Sequence, residues 1–205
     1  MQGADFVFRS FPDVEREYDF GFHHIFLNLP ASTSFIGGPY LTEEEALEAA
    51  KKNNWIGDYN VFLDGIEPFL YNGKWYFMKA YQTATIKPLT ENNISVTVQV
   101  MLDYNAVTKK MISSKARTSG KKFSSWEVKE QEGREAAEAL FTFLAQKFSA
   151  EDSYVSNWIL GNEVNSYTAW HYKGSMTENE FYDSYEMTFH SFYSAIKSVN
   201  RKARV

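Results

Sequence analysis

The chain has 205 residues, of which 44% are hydrophobic, 23% are charged and 17% are aromatic, and it contains no cysteine. This composition is typical of one globular domain, and the lack of cysteine excludes disulfide bonds and thiol chemistry. The formal net charge of −5, without a long basic run, argues against a nucleic-acid partner, and no stretch of about 18 apolar residues predicts a membrane helix. The first residues lack the features of a signal peptide, so the compartment, including secretion, stays open.

The first part of the chain predicts two helices and one buried strand. Proline at the first helical position and glycine just past the end indicate a short helix over 12–20. Apolar residues predict a buried strand over 24–29, and the Ser, Gly and Pro content of 31–40 predicts a loop. A threonine followed three residues later by glutamate is a capping box, which predicts a helix over 41–53.

A β-hairpin is predicted within 59–82. The pair Asn72-Gly73 is typical of a tight turn, and aromatic runs flank it on both sides. A hairpin does not belong to a regular βα repeat, so we interpret this segment as an insertion. Its aromatic side chains either pack against the domain or line a sugar site.

The middle of the chain predicts a strand between two helical segments. Residues 81–92 are helical in part and broken by Pro88, and the β-branched run 94–102 predicts a strand. A basic, serine-rich segment over 109–122 is interpreted as a solvated loop. The next helix is predicted from Ser124, which has capping-box spacing to a glutamate, and it runs to about residue 148.

The most informative stretch is 155–165, where a short apolar run ends on an Asn-Glu pair. Such a run predicts a parallel strand that is buried on both faces. A carboxylate directly after the strand lies at the carboxyl edge of the sheet, where the active sites of α/β proteins collect. The alternative for Glu163 is a helix cap or a surface ion pair. A loop over 166–175 follows, and Thr177 begins a last helix with an aromatic stripe.

Strands that alternate with helices predict a parallel sheet with right-handed crossovers. Only three barrel-type strands are predicted, at 24–29, 94–102 and 155–161, whereas a complete (β/α)₈ barrel has eight units in about 250 residues. The sequence contains no internal repeat, zinc-ligand spacing, phosphate loop or nucleotide fingerprint, so we expect no metal ion and no organic cofactor.

The stretch 155–165, together with 170–175 and the last helix, resembles an uncharacterised bacterial family. That family carries a domain of unknown function related to the (β/α)₈ glycoside hydrolases. Residues 22–30, the hairpin and 94–102 are similar too, so the resemblance covers most of the chain. The pair Asn162-Glu163 is also similar to the Asn-Glu that ends the fourth barrel strand in the large clan of retaining glycosidases.

This resemblance implies a carbohydrate substrate and roles for five residues. Glu163 matches the general acid/base, and Asn162 matches the residue that binds the sugar 2-hydroxyl. A carboxyl group at a dry strand end has its neutral form favoured, which suits proton donation, and a neighbouring amide strengthens its hydrogen bond as charge develops. Asn28, Trp170 and His171 are further candidates for substrate binding, although Trp170 equally fits a packing role in its loop.

The resemblance also implies a fold. It is an α/β, parallel-stranded partial (β/α)₈ (TIM-type) barrel, which holds strands two to four with their helices plus the inserted hairpin. Residues 1–205 are then a single domain or a fragment of a larger one. In the clan the nucleophile is a second glutamate at the end of the seventh strand, so it falls outside this chain, and we expect the chain alone to be inactive.

Three alternatives remain open at this point. The chain is an open α/β domain that is complete at this length, rather than part of a barrel. Its function is carbohydrate binding without catalysis, for which the aromatic side chains argue. In the third alternative it is an assembly domain whose exposed sheet edge associates with another copy or with the remainder of a barrel.

Overall fold

The computed structural model describes residues 24–57, 61–118 and 120–205, and the helix predicted over 12–20 lies outside them. The architecture is α/β, with a three-stranded parallel sheet, a three-stranded antiparallel sheet and a two-stranded ribbon. The elements in chain order are β1 (His24–Pro30), α1 (Ala31–Ser34), β2 (Phe35–Tyr40), α2 (Glu43–Lys52), β3 (Ile66–Tyr71), β4 (Lys74–Lys79), α3 (Thr83–Glu91), β5 (Ser95–Met101), α4 (Gln131–Lys147), β6 (Ser149–Ala150), β7 (Ser153–Tyr154), β8 (Asn157–Leu160) and α5 (Glu178–Val199).

The predicted partial (β/α)₈ barrel is wrong. The described residues form no closed barrel, and their largest parallel sheet has only three strands, in the order β1-β5-β8. A second sheet of equal strand number is antiparallel, in the order β2-β4-β3, and a TIM-type barrel has no place for it. The three strands predicted at 24–29, 94–102 and 155–161 do form, as β1, β5 and β8.

One face of the parallel sheet forms the centre of the main core. Leu27, Val98 and Trp158 lie in one row across β1, β5 and β8, and each is at most 2% exposed. Helices α4 and α5 cover this face. The ring centroid of Trp158 lies 6.3 Å from that of Phe192 in α5, and the Phe192 centroid lies 5.0 Å from that of Phe141 in α4. Burial of such apolar side chains contributes about 1.5–3 kcal/mol each, so these strands are held mainly from one side.

The opposite face of the parallel sheet is only partly covered. Phe26 is 40% exposed and Ile159 is 36% exposed, while Asn28 and Gln99 are half-buried between them. The expectation of strands buried on both faces is therefore wrong for the described part of the chain. The alternation of burial along β1 shows the difference, because residues 25, 27 and 29 face the core and residues 26 and 28 face away from it.

The antiparallel sheet contains the predicted hairpin and one strand that was not predicted. Strands β3 and β4 pair around Asn72-Gly73, which confirms the hairpin. The predicted loop over 31–40 is wrong, since it contains α1 and β2, and β2 pairs with β4 at Phe35↔Met78. The hairpin also packs against the main core, since the ring centroids of Phe69 and of Phe143 in α4 lie 5.5 Å apart.

Two boundaries in the middle of the chain also differ from the prediction. Helix α3 continues through Pro88, whose carbonyl accepts the N–H of Asn92 at 3.2 Å. Helix α4 begins at Gln131 rather than near Ser124. The Glu127 carboxylate does not close a capping box with Ser124; it accepts N–H groups of the chain that follows it, from Lys129 at 2.7 Å and from residue 130 at 3.2 Å.

Glycine at position 133 lets α4 approach a neighbouring 3₁₀ turn over Thr108–Met111. A Cβ atom at Gly133 would lie 2.3 Å from the Lys110 carbonyl oxygen, well inside van der Waals contact. Glycine in a helix lowers stability by about 0.5–1 kcal/mol relative to alanine. At position 133 this loss accompanies a close approach of α4 to the 3₁₀ turn that alanine would prevent.

The last helix begins where it was predicted. Thr177 accepts the N–H of Glu180 at 3.2 Å, and the Glu180 carboxylate accepts the N–H of Thr177 at 2.9 Å, which completes a capping box. Hydrogen bonds from Lys115 and Thr177 hold the pKa of Glu180 at about 2. Among the helices of the described ranges, none is long and apolar enough to cross a membrane.

Candidate functional site

Two of the predicted site residues meet at the carboxyl end of the parallel sheet. Asn28 of β1 lies in register with Gln99 of β5. The Gln99 side chain donates a hydrogen bond from Nε2 to Oδ1 of Asn162, just after β8, at 3.4 Å. Gln99 therefore connects Asn28 and Asn162, and we call these three amides the amide row, although the residue of β8 in register with Gln99 is Ile159 and Asn162 lies beyond the end of that strand. Unpaired amide donors and acceptors in such a row suit the hydroxyl groups of a ligand.

Gln99 connects this row, although the sequence analysis did not select it. Its signal was present in the sequence, as a large amide within the β-branched run Val96–Val100. Residues in register on adjacent parallel strands project from the same face, so Gln99 could have been paired with Asn28 once the strand order was known. The buried side chain of Gln82 also donates to the backbone carbonyl of Asn28, at 3.4 Å, and so fixes this end of β1.

Glu163 follows a tight turn after β8. Gly161 has φ +78° and Glu163 has φ +44°, so the backbone passes twice through the left-handed region. The Glu163 carbonyl accepts the N–H of Ser166 at 2.6 Å, which closes the turn. Its side chain is exposed and makes no hydrogen bond or ion pair with any described residue. The dry surroundings expected for this carboxyl group are therefore not found, and no partner ties it down.

His171 lies beneath the same turn, on the core side. It is 3% exposed, and its ring packs edge-on against Phe181 and Tyr185 at 5.6 Å each. Burial lowers the pKa of His171 to about 4, because the charged imidazolium is poorly solvated there. A Cβ atom at Gly161 would lie 2.8 Å from Nδ1 of His171. His171 therefore supports the turn from beneath, and the structure does not place it on the partly covered face with Asn28.

Trp170 packs with the segment that precedes α4. Its indole stacks on the Phe123 ring, with centroids 5.9 Å apart and planes inclined by 22°. The Lys122 ammonium lies 4.9 Å from the centroid of the Trp170 ring. The side chain is half-buried, so it keeps some contact with solvent. The contact with Phe123 shows the packing role, and substrate binding by Trp170 stays a prediction.

A further carboxylate, Asp103, lies just beyond the end of the neighbouring strand β5. Its Oδ1 accepts the N–H of Ser32 at 2.9 Å, and its Oδ2 accepts the Ser32 hydroxyl. Both oxygens therefore bind the short segment after β1. Asp103 is not among the site residues predicted from the sequence, although its position directly after a buried strand is the same signal that indicated Glu163.

The described part of the chain offers no cluster of three or more His, Asp or Glu side chains that could hold a metal ion. The chemistry available at the site is therefore that of amide groups and one unpartnered carboxylate. These groups bind by hydrogen bonds and charge, and the carboxylate can also transfer a proton.

Comparison with known proteins places the chain in a family but gives no function. Neither the search of curated proteins nor the search of solved structures finds a match. The family model that matches covers residues 53–205, which include the hairpin, β5, β8 and α5. The expected membership of a family with a domain of unknown function is thus confirmed at that level. The chain belongs to the Family of unknown function (DUF5722).

Proposed function

We propose that the carboxyl end of the parallel sheet binds a carbohydrate and that Glu163 is the general acid/base for hydrolysis of a glycosidic bond. The observation that carries this proposal is the amide row of Asn28, Gln99 and Asn162 beside the unpartnered carboxylate of Glu163. Amide side chains and a carboxylate at one sheet edge match the hydroxyl groups and the glycosidic oxygen of a sugar chain.

The backbone of Glu163 supports a functional role. A non-glycine residue with φ +44° is held in a conformation that costs about 1–3 kcal/mol, and such residues cluster at functional sites. The side chain of Glu163 gains nothing in return from described residues, because it makes no hydrogen bond or ion pair with them. The carboxylate is therefore free to meet an external ligand.

In this mechanism Glu163 donates its proton to the glycosidic oxygen as the bond from that oxygen to the anomeric carbon breaks. The bonding electron pair stays with the leaving oxygen, and a second carboxylate bonds to the anomeric carbon. Water then displaces that carboxylate while Glu163 takes up the proton of the water. Asn162 donates to a sugar hydroxyl near the developing positive charge.

The second carboxylate is assigned outside the described residues. Retaining chemistry requires two carboxyl groups about 5–5.5 Å apart, and one of them must be free to attack. Asp103 is the other carboxylate that follows a strand of this sheet, but Ser32 occupies both of its oxygens. We interpret Asp103 as an anchor for the segment after β1.

Carbohydrate binding without catalysis is the second candidate. The exposure of Glu163 favours it, because a general acid works best where water is excluded. Under this alternative the amide row and Trp170 hold a sugar chain, and Glu163 is only one more polar contact.

The test measures binding and release of reducing ends with a panel of polysaccharides, using the whole natural protein. We expect Glu163→Gln to retain sugar binding and to slow hydrolysis at least about 100-fold, the usual contribution of general acid catalysis. With an aryl glycoside, whose leaving group departs without protonation, added azide should partly restore turnover in Glu163→Ala, because azide attacks the anomeric carbon of the glycosyl-enzyme without a base and releases the enzyme carboxylate as a glycosyl azide forms. Glu91→Gln is the control, since Glu91 is an exposed carboxylate at the end of α3.

The outcomes separate the two candidates. Hydrolysis at the wild-type rate by Glu163→Gln refutes the acid/base assignment. Sugar binding by a wild-type protein that releases no reducing ends from any substrate supports the non-catalytic candidate instead.

A further inference from the structure

The segment 104–126 carries a charge opposite to that of the whole chain. It contains six basic residues and no aspartate or glutamate, whereas the chain has a formal net charge of −5. The basic residues are Lys109, Lys110, Lys115, Arg117, Lys121 and Lys122. Such a local excess attracts anions even when the net charge of the protein is negative.

The basic side chains of this segment fall into two groups. Lys110, Lys115 and Arg117 form salt bridges with glutamates near the starts of α4 and α5. Lys109, Lys121 and Lys122 form none of the salt bridges among the described residues. They therefore keep their charges for a partner that the described part of the chain does not supply.

Lys121 and Lys122 are held by aromatic rings instead. The Lys121 ammonium lies 4.6 Å from the centroid of the Tyr172 ring, and the Lys122 ammonium lies 4.9 Å from that of Trp170. Lys121 also donates to the backbone carbonyl of Thr168 at 3.1 Å. An ammonium group has three donors, so Lys121 retains two for a ligand. The ring contacts orient both ammonium groups without neutralising them.

Backbone hydrogen bonds join this lysine pair to the candidate site. The N–H of Tyr172 donates to the carbonyl of Phe123 at 3.1 Å, and the N–H of Ser124 donates to Leu102 at the end of β5 at 2.9 Å. The lysine pair is thus joined to the loop that follows Glu163, because Thr168, which accepts from Lys121, lies five residues after Glu163.

The aromatic environment argues against recognition by stacking alone. Phe123 stacks against the Trp170 ring, and Lys122 lies over both rings, at 5.5 Å from Phe123. A neutral sugar usually stacks its apolar side on a free aromatic face. Here the ring of Trp170 is already in contact with an aromatic ring and an ammonium group, so charge is the recognition element that this segment adds to the amide row.

We infer that the carbohydrate of this site is anionic, and that Lys121 and Lys122 bind its carboxylate or sulfate groups next to Asn162 and Glu163. This inference rests on the proposed function, since it names the class of sugar for the same site. Charged hydrogen bonds from ammonium groups to such anions are stronger than neutral ones and weaken with added salt.

The test measures affinity by calorimetry with matched ligands. Oligogalacturonate is compared with its methyl ester, and chondroitin sulfate with unsulfated chondroitin, which separates carboxylate from sulfate recognition. Polyglutamate serves as an anionic polymer without sugar. The test variant is Lys121→Gln/Lys122→Gln, in which glutamine keeps much of each lysine side-chain stem. The control variant is Lys51→Gln/Lys52→Gln, because these two adjacent lysines are exposed and lie in the last turn of α2, outside the segment 104–126.

We expect an anionic saccharide to bind and the Lys121/Lys122 variant to lose about tenfold in affinity, as two exposed charge contacts predict. The control variant should bind as the wild type does. Circular dichroism and thermal unfolding check that both variants fold, and the salt dependence of binding should decrease only in the Lys121/Lys122 variant.

Three results would overturn the inference, and they differ in what they imply for the proposed function. Equal binding of the methyl ester, unaffected by the Lys121/Lys122 change but abolished by Asn162→Ala, refutes only the anionic class. Equal binding of polyglutamate, or anionic binding that survives Asn162→Ala, shows a general polyanion surface separate from the amide row. Lack of binding to every saccharide, charged or neutral, refutes both proposals.

Discussion

Replacing Glu163 with glycine should make the protein more stable and less functional at the same time. Five non-glycine residues in the described ranges have positive φ, and Glu163 is the only one of them that is neither asparagine nor aspartate. Asparagine and aspartate tolerate the left-handed region because their short polar side chains bond to the local backbone. The other four are Asn54, Asp64, Asn72 and Asn93.

The expected gain in stability follows from two opposing effects. The left-handed conformation costs an L-residue about 1–2 kcal/mol, and glycine avoids that cost. Glycine in turn loses about 0.5–1 kcal/mol more conformational entropy on folding. Because the Glu163 side chain makes no hydrogen bond or ion pair with described residues, its removal should cost little contact energy. The free energy of unfolding should therefore rise by about 0.5–1 kcal/mol.

Chemical denaturation of four proteins measures this difference. Wild type, Glu163→Gly and Glu163→Ala are compared, with Asn93→Gly as a control at φ +56°. Alanine keeps the strained backbone, so Glu163→Ala should stay close to the wild type, while Glu163→Gly should exceed both. In thermal unfolding the gain corresponds to a Tm increase of about 1–4 °C for a domain of this size. The control should change by less, because asparagine already tolerates the conformation.

A lower stability of Glu163→Gly than of Glu163→Ala would refute the strain argument, since only the glycine variant relieves the backbone. The functional half of the prediction has its own refutation. If Glu163→Gly binds and hydrolyses carbohydrate as the wild type does, then the strain at Glu163 has no functional purpose at this site.

Two further predictions concern the support of the turn and the packing of α4. Because burial lowers the pKa of His171 to about 4, the unfolded chain binds the extra proton between about pH 6.5 and pH 4. The free energy of unfolding should therefore fall by up to about 3 kcal/mol as the pH decreases across that window. In His171→Gln this decrease should be absent. In His190→Gln, which changes an exposed histidine, the free energy of unfolding should depend on pH as it does in the wild type. Gly133→Ala should lower the free energy of unfolding, measured in urea, by about 2 kcal/mol or more, because the new Cβ would clash with the Lys110 carbonyl. This loss should exceed the gain from the better helix propensity of alanine. Gly120→Ala is the control and should change stability little, because no atom lies within 4 Å of a Cβ built at that position.

Local patterns predicted the elements that depend on nearby residues. The capping box at Thr177 forms as the sequence indicates, because both partners lie within one helical turn. At Thr42 only one half of the box forms, since the Thr42 hydroxyl accepts the N–H of Glu45 while the Glu45 carboxylate accepts the N–H of Leu41. Asn72-Gly73 forms its hairpin for the same reason. Strand β5 is recognisable from its β-branched residues alone.

Elements that depend on distant residues were not predictable in the same way. Strand β2 contains Gly37, Gly38 and Pro39, which locally indicate a loop, yet it is held as a strand by pairing with β4 some 40 residues further along. The wrong barrel prediction has a similar origin. Three parallel strands were recognised correctly, but sequence order alone did not reveal that the hairpin joins β2 in a second sheet.

Site residues that directly follow one strand could be predicted from the sequence. A site residue whose position depends on the register between two strands could not. Asn162 and Glu163 follow β8 directly, so their position at the sheet edge could be read from the chain. Gln99 belongs to the site only because it lies in register with Asn28 and bonds to Asn162. His171 illustrates the converse, since its place in the loop gave no indication that it packs beneath the turn against Phe181.

The turn after β8 is packed on its inner side and exposed on its outer side, and this arrangement favours a functional role for Glu163. Beneath the turn, His171 is buried and Gly161 leaves it room, so the backbone is held firmly. Above it, Glu163 is exposed and strained, and its side chain has no partner in the described residues. The turn fixes the backbone of Glu163 and leaves its carboxylate without the contacts that would neutralise it, so the group is available to an external ligand. If the strain served stability, relieving it would weaken the fold, and that is the result the glycine variant is designed to detect.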